Sequence, residues 1–341
     1  MSTAEQYRAA GVDLDAAQAA KTRITAALAS TRTALAHGAA GAFGGMLRLP
    51  SDIADPVMVM STDGVGTKLL VAIRAGRHDT IGEDLVNHCV NDILVHAARP
   101  LAFLDYIAVA EMVPETVAAL VEGVARACRA HRMTLVGGET AQLADLYRPG
   151  HYDLAGTIVG VVSERAALHG DRVRVGDELV GYGSSGLHTN GYALARRLLF
   201  DQLDLELDTH LEDLGATLGD VLLRVHRSYY GAVAPVLDRM HALAHITGGG
   251  IAGNLTRSLP DGCGARVDSC AWPVQPIFRL LGSSGGVSPD EMFRVFNMGI
   301  GMISVVSSDH IDAVRDAATA AGVETWMIGE VVAGGGVTIV P

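Results

Sequence analysis

Val57-Met58-Val59-Met60-Ser61-Thr62-Asp63-Gly64-Val65-Gly66-Thr67-Lys68 is the stretch around which the chain is organised. An apolar, β-branched run reads as a buried strand over Val57–Thr62. It ends in a carboxylate, two closely spaced glycines, a hydroxyl and a lysine. Glycines let backbone approach a ligand closely, and their amides offer donors to phosphate oxygens. Lys68 supplies a point charge, and Asp63 can hold a divalent cation that bridges such oxygens. The order Gly-x-x-x-x-Gly-Lys-Ser/Thr of a Walker A loop is absent. Strand, acid and then Gly-x-Gly-Thr-Lys is nevertheless a way to meet a metal-bound polyphosphate; the plainer alternative is a glycine-rich turn.

The sequence of 341 residues exceeds what one core usually serves, so two domains are expected. Hydrophobic residues make up 49% and charged ones 19%, the balance of a packed globular chain. Forty glycines cluster in short runs without a collagen-like period. A formal charge of −12 argues against nucleic acid, so any phosphate must be captured locally by amides, lysines or a metal. Cys89, Cys128, Cys263 and Cys270 have no zinc spacing and read as free thiols of a reducing compartment. No signal peptide opens the sequence and no apolar run of about 20 residues spans a membrane, so a cytoplasmic, soluble protein is expected.

Outward from the central stretch, residues 5–36 read as an alanine-rich helix, and the glycine loop 38–45 as a linker or a flap. Thr80-Ile81-Gly82-Glu83 reads as a capping box. The helix after it has one apolar face from Ile81 to Ala97 and a second stripe of Asp84, Asn87, His88 and Asn91, with Asp92 at its margin. Asparagine and aspartate are poor residues for a merely exposed helix face, so this stripe reads as oxygen ligands; His88 reads as structural. Leu101–Val109 is expected as a strand whose Asp105 needs a partner or an edge position, because an unpaired buried charge costs several kcal/mol. A helix from Pro114 to Arg132 leads to strand Met133–Val136, ending in Gly137-Gly138-Glu139-Thr140. Asp63, Asp92 and Glu139 would then give three hard oxygen ligands for Mg²⁺, with ATP phosphates completing its shell. Leu154–Ser163 reads as the closing strand of this half.

The polar segment Glu164–Asp177 reads as the boundary between an N-terminal domain, 1–168, and a C-terminal one, 169–341. Strand Glu178–Gly183 runs into Ser184-Ser185-Gly186-Leu187-His188-Thr189-Asn190-Gly191, small residues and hydroxyls ahead of a helix start, which read as an anion site. His188 in that loop is a candidate acid or base. Helices around 217–240, strand 242–247 and the triple glycine 248–250 follow, the last a third place for backbone to meet a ligand. Strands at 264–268, 300–306 and 324–332 and helices at 274–281, 289–297 and 309–321 complete an α+β or α/β layer structure.

Taken together these stretches closely resemble the aminoimidazole ribonucleotide synthetases, phosphoribosylformylglycinamidine cyclo-ligases of purine synthesis. The likeness rests on 61–68, Cys89-Val90-Asn91-Asp92, Phe103-Leu104-Asp105-Tyr106, Val136–Thr140, Gly183–Tyr192, His245–Gly250 and Phe296-Asn297-Met298-Gly299, in order and spacing. The resemblance implies a homodimer whose N-terminal domains pair their sheets into a barrel, with α+β C-terminal domains carrying a mixed sheet. It implies ATP-dependent closure of formylglycinamidine ribonucleotide to aminoimidazole ribonucleotide through an iminophosphate. It places Thr62, Asp63, Gly64, Gly66, Thr67, Lys68, Asn91, Asp92, Gly138 and Glu139 at Mg²⁺–ATP. Ser184, Ser185, Gly186, Asn190, Gly248 and Gly249 fall at the phosphoribosyl substrate, and His188 or His245 is the base. Ala17, Gln18 and Thr25 depart from the family pattern, as does Ala141-Gln142-Leu143, so contacts of the N-terminal lid are expected to differ. A small-molecule kinase of the thiamine-monophosphate kinase type is the enzymatic alternative, and an ATP-binding sensor or scaffold the non-enzymatic one. Residues 38–45 lack the Cys or Sec of a selenophosphate synthetase.

Overall fold

A computed structural model describes residues 13–39, 42–284 and 286–341. The start of the expected helix 5–36, and Ala40 and Gly41 of the glycine loop, lie outside the described residues. The chain divides into two compact units: residues up to Ile93 together with Arg99–Ser163, and Leu94–Ala98 together with Glu164–Pro341.

The first unit opens with α1 (Leu14–Ser30), whose first amides are capped by the Asp13 carboxylate through Asp15 and Ala16. The helix stops six residues before the expected 36, and Ala36–His37 instead pairs with Met46–Leu47. Then follow β1 (Pro56–Gly64), α2 (Lys68–Ala75), α3 (Ile81–Leu94), β2 (Arg99–Val109), α4 (Pro114–Ala130), β3 (Thr134–Gln142) and β4 (Tyr152–Ser163). The strands form one mixed sheet in the order β1-β4-β2-β3, antiparallel except between β2 and β3. That parallel pair is joined by α4, as a parallel connection requires.

Three expectations change here. β1 is an edge strand and not a buried one: Val57, Val59 and Ser61 are half-buried, while Met58 and Met60 are exposed. Leu104 and Tyr106 of β2 are exposed as well, whereas Phe103 before them and Ile107 after them are buried. One face of the sheet is therefore packed, with Leu85 and Cys89 of α3 against Gly156 of β4, and the other is open. Strand β3 does not end at its glycines but runs through them to Gln142. No capping box forms at α3: the Thr80 hydroxyl is buried without a hydrogen bond, and Glu83 instead accepts from Arg126.

The second unit contains β5 (Glu178–Gly183), α5 (Tyr192–Arg196), α6 (Leu218–Leu222), α7 (Tyr230–Val233), β6 (Met240–His245), α8 (Gly250–Leu255), β7 (Cys263–Asp268), α9 (Pro276–Ser283), α10 (Pro289–Val295), β8 (Ile300–Val306), α11 (Ile311–Ala320), β9 (Thr325–Ala333) and β10 (Val337–Val340). Its mixed sheet has the order β6-β8-β5-β9-β7-β10, with β10 parallel to β7 and the other pairs antiparallel. β10 was not expected. The helical stretch expected over 217–240 is broken into pieces, the last a 3₁₀ turn (Ala234–Arg239) at Pro235, which has no amide to donate. Both faces of this sheet are covered. Tyr182, Met302 and Val306 pack with Tyr229, Val233 and Val314 in one cluster, and Leu179, Ile303 and Ile328 with Ile251, Leu255 and Trp272 in another. Every residue of β8 is buried accordingly, which is why it reads as an unbroken apolar run. Among the described residues no helix is long and apolar enough to cross a membrane.

Candidate functional sites

In the first unit the acidic site forms where β1 ends beside α3. Asp63 is the last acid on β1, on the packed face of the sheet, and α3 presents His88 and Asp92 one turn apart. His88 Nε2 lies 2.8 Å from Asp63 Oδ2 and 3.7 Å from Asp92 Oδ2. Asp92 also accepts from the Ser61 hydroxyl at 3.2 Å. Two carboxylates from separate elements thus share the edge of one imidazole. Burial works against charge on His88, but the Asp63 hydrogen bond and the charges of Asp92, Asp63 and Asp84 outweigh it and hold its pKa above the usual range. His88, expected to be structural, faces the same site, which its i,i+4 spacing to Asp92 on the polar stripe signals. Asp63 and Asp92 are partly exposed, and two hard oxygen donors beside a hydroxyl suit a cation such as Mg²⁺.

The rest of the polar stripe is engaged inside the protein. Asn87 Oδ1 accepts from His131 Nε2 at 3.0 Å, and burial pushes the His131 imidazole down to about 4. Asn91 is fully buried. Asp84 is fully buried too, with Lys68 Nζ 2.8 Å from its carboxylate. This corrects the placement of Lys68 at ATP phosphates. Lys68 is the first residue of α2, and its side chain points into the core, where burial lowers its pKa and Asp84 works against that shift. Thr67 precedes α2 without a side-chain capping bond, and Gly66 has the left-handed φ of +66° that the turn into the helix requires. The Gly64 amide donates to the Asp63 carboxylate at 2.7 Å. Thr62 lies on the opposite, open face and bonds Thr157 at 2.7 Å.

Glu139 is not brought to this pair. Its Cα partner is Tyr106, whose side chain is exposed on the open face, and two strands, β4 and β2, separate β3 from β1. Across the sheet Asp63, Gly156, Asp105 and Gly138 occupy one row. Asp105 has no ion-pair partner among the described residues and no edge position. It sits in the interior strand β2, and burial pushes its carboxyl up to about 7, with a backbone hydrogen bond opposing. The raised pKa reflects the cost of ionising a buried carboxyl with no cation beside it. Gly138 is where it is because a Cβ would lie 2.2 Å from the Asp105 carboxylate, a packing reason that the strand-plus-glycine pattern did not reveal.

In the second unit the loop after β5 is closed on itself by neutral groups. Ser184 Oγ donates to the Gly186 carbonyl at 2.9 Å and contacts Asn297 Oδ1 at 3.2 Å; Ser185 Oγ donates to the Val225 carbonyl at 2.6 Å. The hydroxyls placed at a substrate by the sequence reading are thus holding the loop. Asn297, missed as a site residue although its motif was recognised, is the hub. Its Nδ2 donates to Gly186, and its Oδ1 accepts from the Gly299 amide, each at 2.8 Å. Asn190 Oδ1 faces Gly248, where a Cβ would stand 3.3 Å away, and Gly249 has a φ of +101° with open space around it. Gly250 is tight for another reason: a Cβ there would strike the Phe293 carbonyl at 1.8 Å. His188 has a φ of +63°, a strain of about 1–3 kcal/mol for a residue with a Cβ. It is held by the Ser185 amide, which donates to its Nε2 at 3.1 Å.

Comparison with known proteins supports a single family. Residues 45–162 match the AIR synthase related protein N-terminal domain, and residues 174–340 its C-terminal domain. The phosphoribosylformylglycinamidine cyclo-ligase of Sorangium cellulosum is 44% identical over 335 residues, covering 97% of this chain and 96% of that one. Among solved structures, thiamine-monophosphate kinase from Stenotrophomonas maltophilia K279a superposes with a TM-score of 0.71 at 23% identity, covering 94% of this chain and 95% of its own. The hydrogenase maturation protein HypE in complex with ATP superposes with a TM-score of 0.63 at 20% identity, covering 91% and 86%. The two structures share the fold with this chain.

Proposed function

This chain belongs to the phosphoribosylformylglycinamidine cyclo-ligase family, and we propose that its first unit binds Mg²⁺–ATP and its second the phosphoribosyl substrate. The protein is an ATP-dependent ligase of purine biosynthesis that closes formylglycinamidine ribonucleotide to aminoimidazole ribonucleotide, giving ADP and phosphate. The observation that carries our assignment of the ATP site is the convergence of Asp63 and Asp92 on one edge of His88. HypE, a neighbour in fold, is an ATP complex, which supports ATP as the nucleotide.

The formyl-amide oxygen is a poor leaving group, and phosphorylation turns it into one. The amidine nitrogen then attacks the iminophosphate carbon, the C–N bond forms, a proton leaves the nitrogen, and phosphate departs. Such a reaction asks for positioning and charge neutralisation more than for covalent help. Asp63 and Asp92 would hold Mg²⁺, which neutralises phosphate charge when bound. Gly64, Gly66 and Thr67 border the phosphates; Lys68 supports the site from within through Asp84. Asn190, Gly248 and Gly249 form the open part of the substrate cradle. Of the two candidate bases we assign His245, because His188 Nε2 already accepts the Ser185 amide.

The open sheet face supports the homodimer. Met58, Met60, Leu104 and Tyr106 form an apolar surface of a kind monomers seldom leave bare. Two such sheets closing edge to edge would bury it and bring edge strand β3, with Glu139, to a second copy. Glu139 lies on that same open face beside Tyr106, with two strands between its own β3 and β1, and so borders the interface and not the Asp63–Asp92 pair. Met60→Lys is expected to convert the dimer to monomer in sedimentation; an unchanged dimer removes this face from the interface.

Incubation with formylglycinamidine ribonucleotide, ATP and Mg²⁺, read by appearance of the aminoimidazole product, tests the function. A phosphorylated, uncyclised product would replace it with a kinase. Asp92→Asn is expected to weaken Mg²⁺-dependent ATP binding at least tenfold; unchanged metal dependence would remove Asp92 from the site.

A further inference from the structure

Gln275 stands at the cap position of α9 with the extended backbone of a helix cap, but its side chain makes no capping bond. Serine, threonine, aspartate and asparagine suit that position, and glutamine does not. Its amide is engaged elsewhere. Nε2 lies 2.7 Å from the Ser184 carbonyl oxygen and 3.5 Å from Ser184 Oγ. A carbonyl oxygen only accepts, so the atom facing it is the amide nitrogen, and the side chain has one orientation. Oε1 then points away, buried and with no hydrogen-bond partner among the described residues.

A buried acceptor without a donor costs stability, and native structures keep few of them. What the glutamine amide supplies in return is a donor to Ser184. The surroundings are arranged around that bond. A Cβ on Gly299 would stand 3.8 Å from Gln275 Cγ, and Trp272 Nε1 donates to the Met298 carbonyl at 2.9 Å. The Ser184 amide in turn donates to the Gly299 carbonyl at 2.8 Å. Farther along, the same loop is fixed by other means. The His188 ring stacks on His226 with centroids 4.0 Å apart, and His226 lies 3.2 Å from the Thr189 hydroxyl and 3.2 Å from His245. Its first turn, 184–186, takes its place from the side of Asn297 and Gln275. Asn297 reaches the Ser184 hydroxyl and the Gly186 carbonyl, and Gln275 supplies the donor for the Ser184 carbonyl.

We propose that Gln275 is a positioning residue of the ring-closing reaction. Its Nε2 donor fixes Ser184, and through Ser184 the turn of the loop that carries Asn190 to the phosphoribosyl substrate. This rests on the reading that the loop after β5 borders that substrate.

Gln275→Met removes the donor and the orphaned acceptor together at nearly the same size. Its midpoint of urea unfolding is expected to stay close to that of wild type, because one buried acceptor is relieved as another, the Ser184 carbonyl, loses its donor. KM for formylglycinamidine ribonucleotide should rise about three- to tenfold, the worth of one hydrogen bond, while KM for ATP is unchanged. Gln275→Glu keeps the shape but turns a carboxylate oxygen toward the Ser184 carbonyl at pH 8, and should raise the same KM further than methionine does. A wild-type KM for formylglycinamidine ribonucleotide in the methionine variant, or equal rises in both KM values with a lower unfolding midpoint, would make Gln275 a packing residue and overturn the proposal. Amide hydrogen exchange over 184–191 reads the clamp without turnover. Faster exchange there in the methionine variant, with the strands of the second sheet unaltered, is expected, and unchanged exchange overturns the clamp. Absence of cyclised product from the wild-type protein would instead sink the cyclo-ligase reading, and the exchange result would still decide whether Gln275 holds the loop.

Discussion

The two units build their sites from opposite materials. In the first, charges dominate: Asp63 and Asp92 stand at the opening around His88, and below them Lys68 and Asp84 form an ion pair shut off from water. In the second, amides and hydroxyls dominate: Asn297 and two serines close a glycine-rich loop through hydrogen bonds, beside three imidazoles in contact with one another. A charged site can pull in a metal and polyphosphate, but every buried charge in it must be paired or neutralised. A site built on amides and hydroxyls holds its shape with little dependence on salt. The contrast fits a division between neutralising phosphate charge and orienting a ring closure.

Lys68→Met would disturb this contrast most. It leaves Asp84 buried without its cation, and a loss of about 3–5 kcal/mol of unfolding free energy is expected in urea titrations. Full stability with weakened ATP binding would instead return Lys68 to the phosphates. Asp105→Asn should act in the opposite direction. The Asp105 carboxyl holds its proton up to about 7, against 3.8 ordinarily, so ionisation favours the unfolded chain. Its destabilisation is absent below about pH 4, grows as pH rises, and is complete above about 7. The asparagine variant should therefore gain on the order of 2–4 kcal/mol over wild type at pH 8 and nothing at pH 4; a pH-independent difference would show that Asp105 is charged and paired. Asn297→Ala should cost about 1–3 kcal/mol through the groups it leaves unsatisfied. That loss should be insensitive to salt, and a strong salt dependence would erase the distinction between the units.

Periodicity and punctuation located most strands and helices, since β5 and β8 run over the residues expected of them. Period and turn chemistry act through neighbours in the chain, and those are written out in order. The carboxylates Asp63 and Asp92 were legible for the same reason, each standing at a strand end or on a polar helix stripe. His88 and His226 were not, because a lone histidine looks alike in a core and in a site until its neighbours are known. Nor could Val57–Thr62 be recognised as an edge, because its run Val57–Met60, with valine or methionine at every position, looks the same whether one face is covered or two.

Sequence alone determined the family, the two-part α+β layout and the acidic residue types available to a cation. Only the tertiary structure decided that Lys68 turns inward to Asp84, that burial raises the Asp105 carboxyl to about 7, that Glu139 stands apart from Asp63, and that His226 lies between Thr189 and His245. The physical reason is common to all four. Desolvation and hydrogen bonding depend on which atoms surround a group, and here those atoms come from elements far apart in the chain.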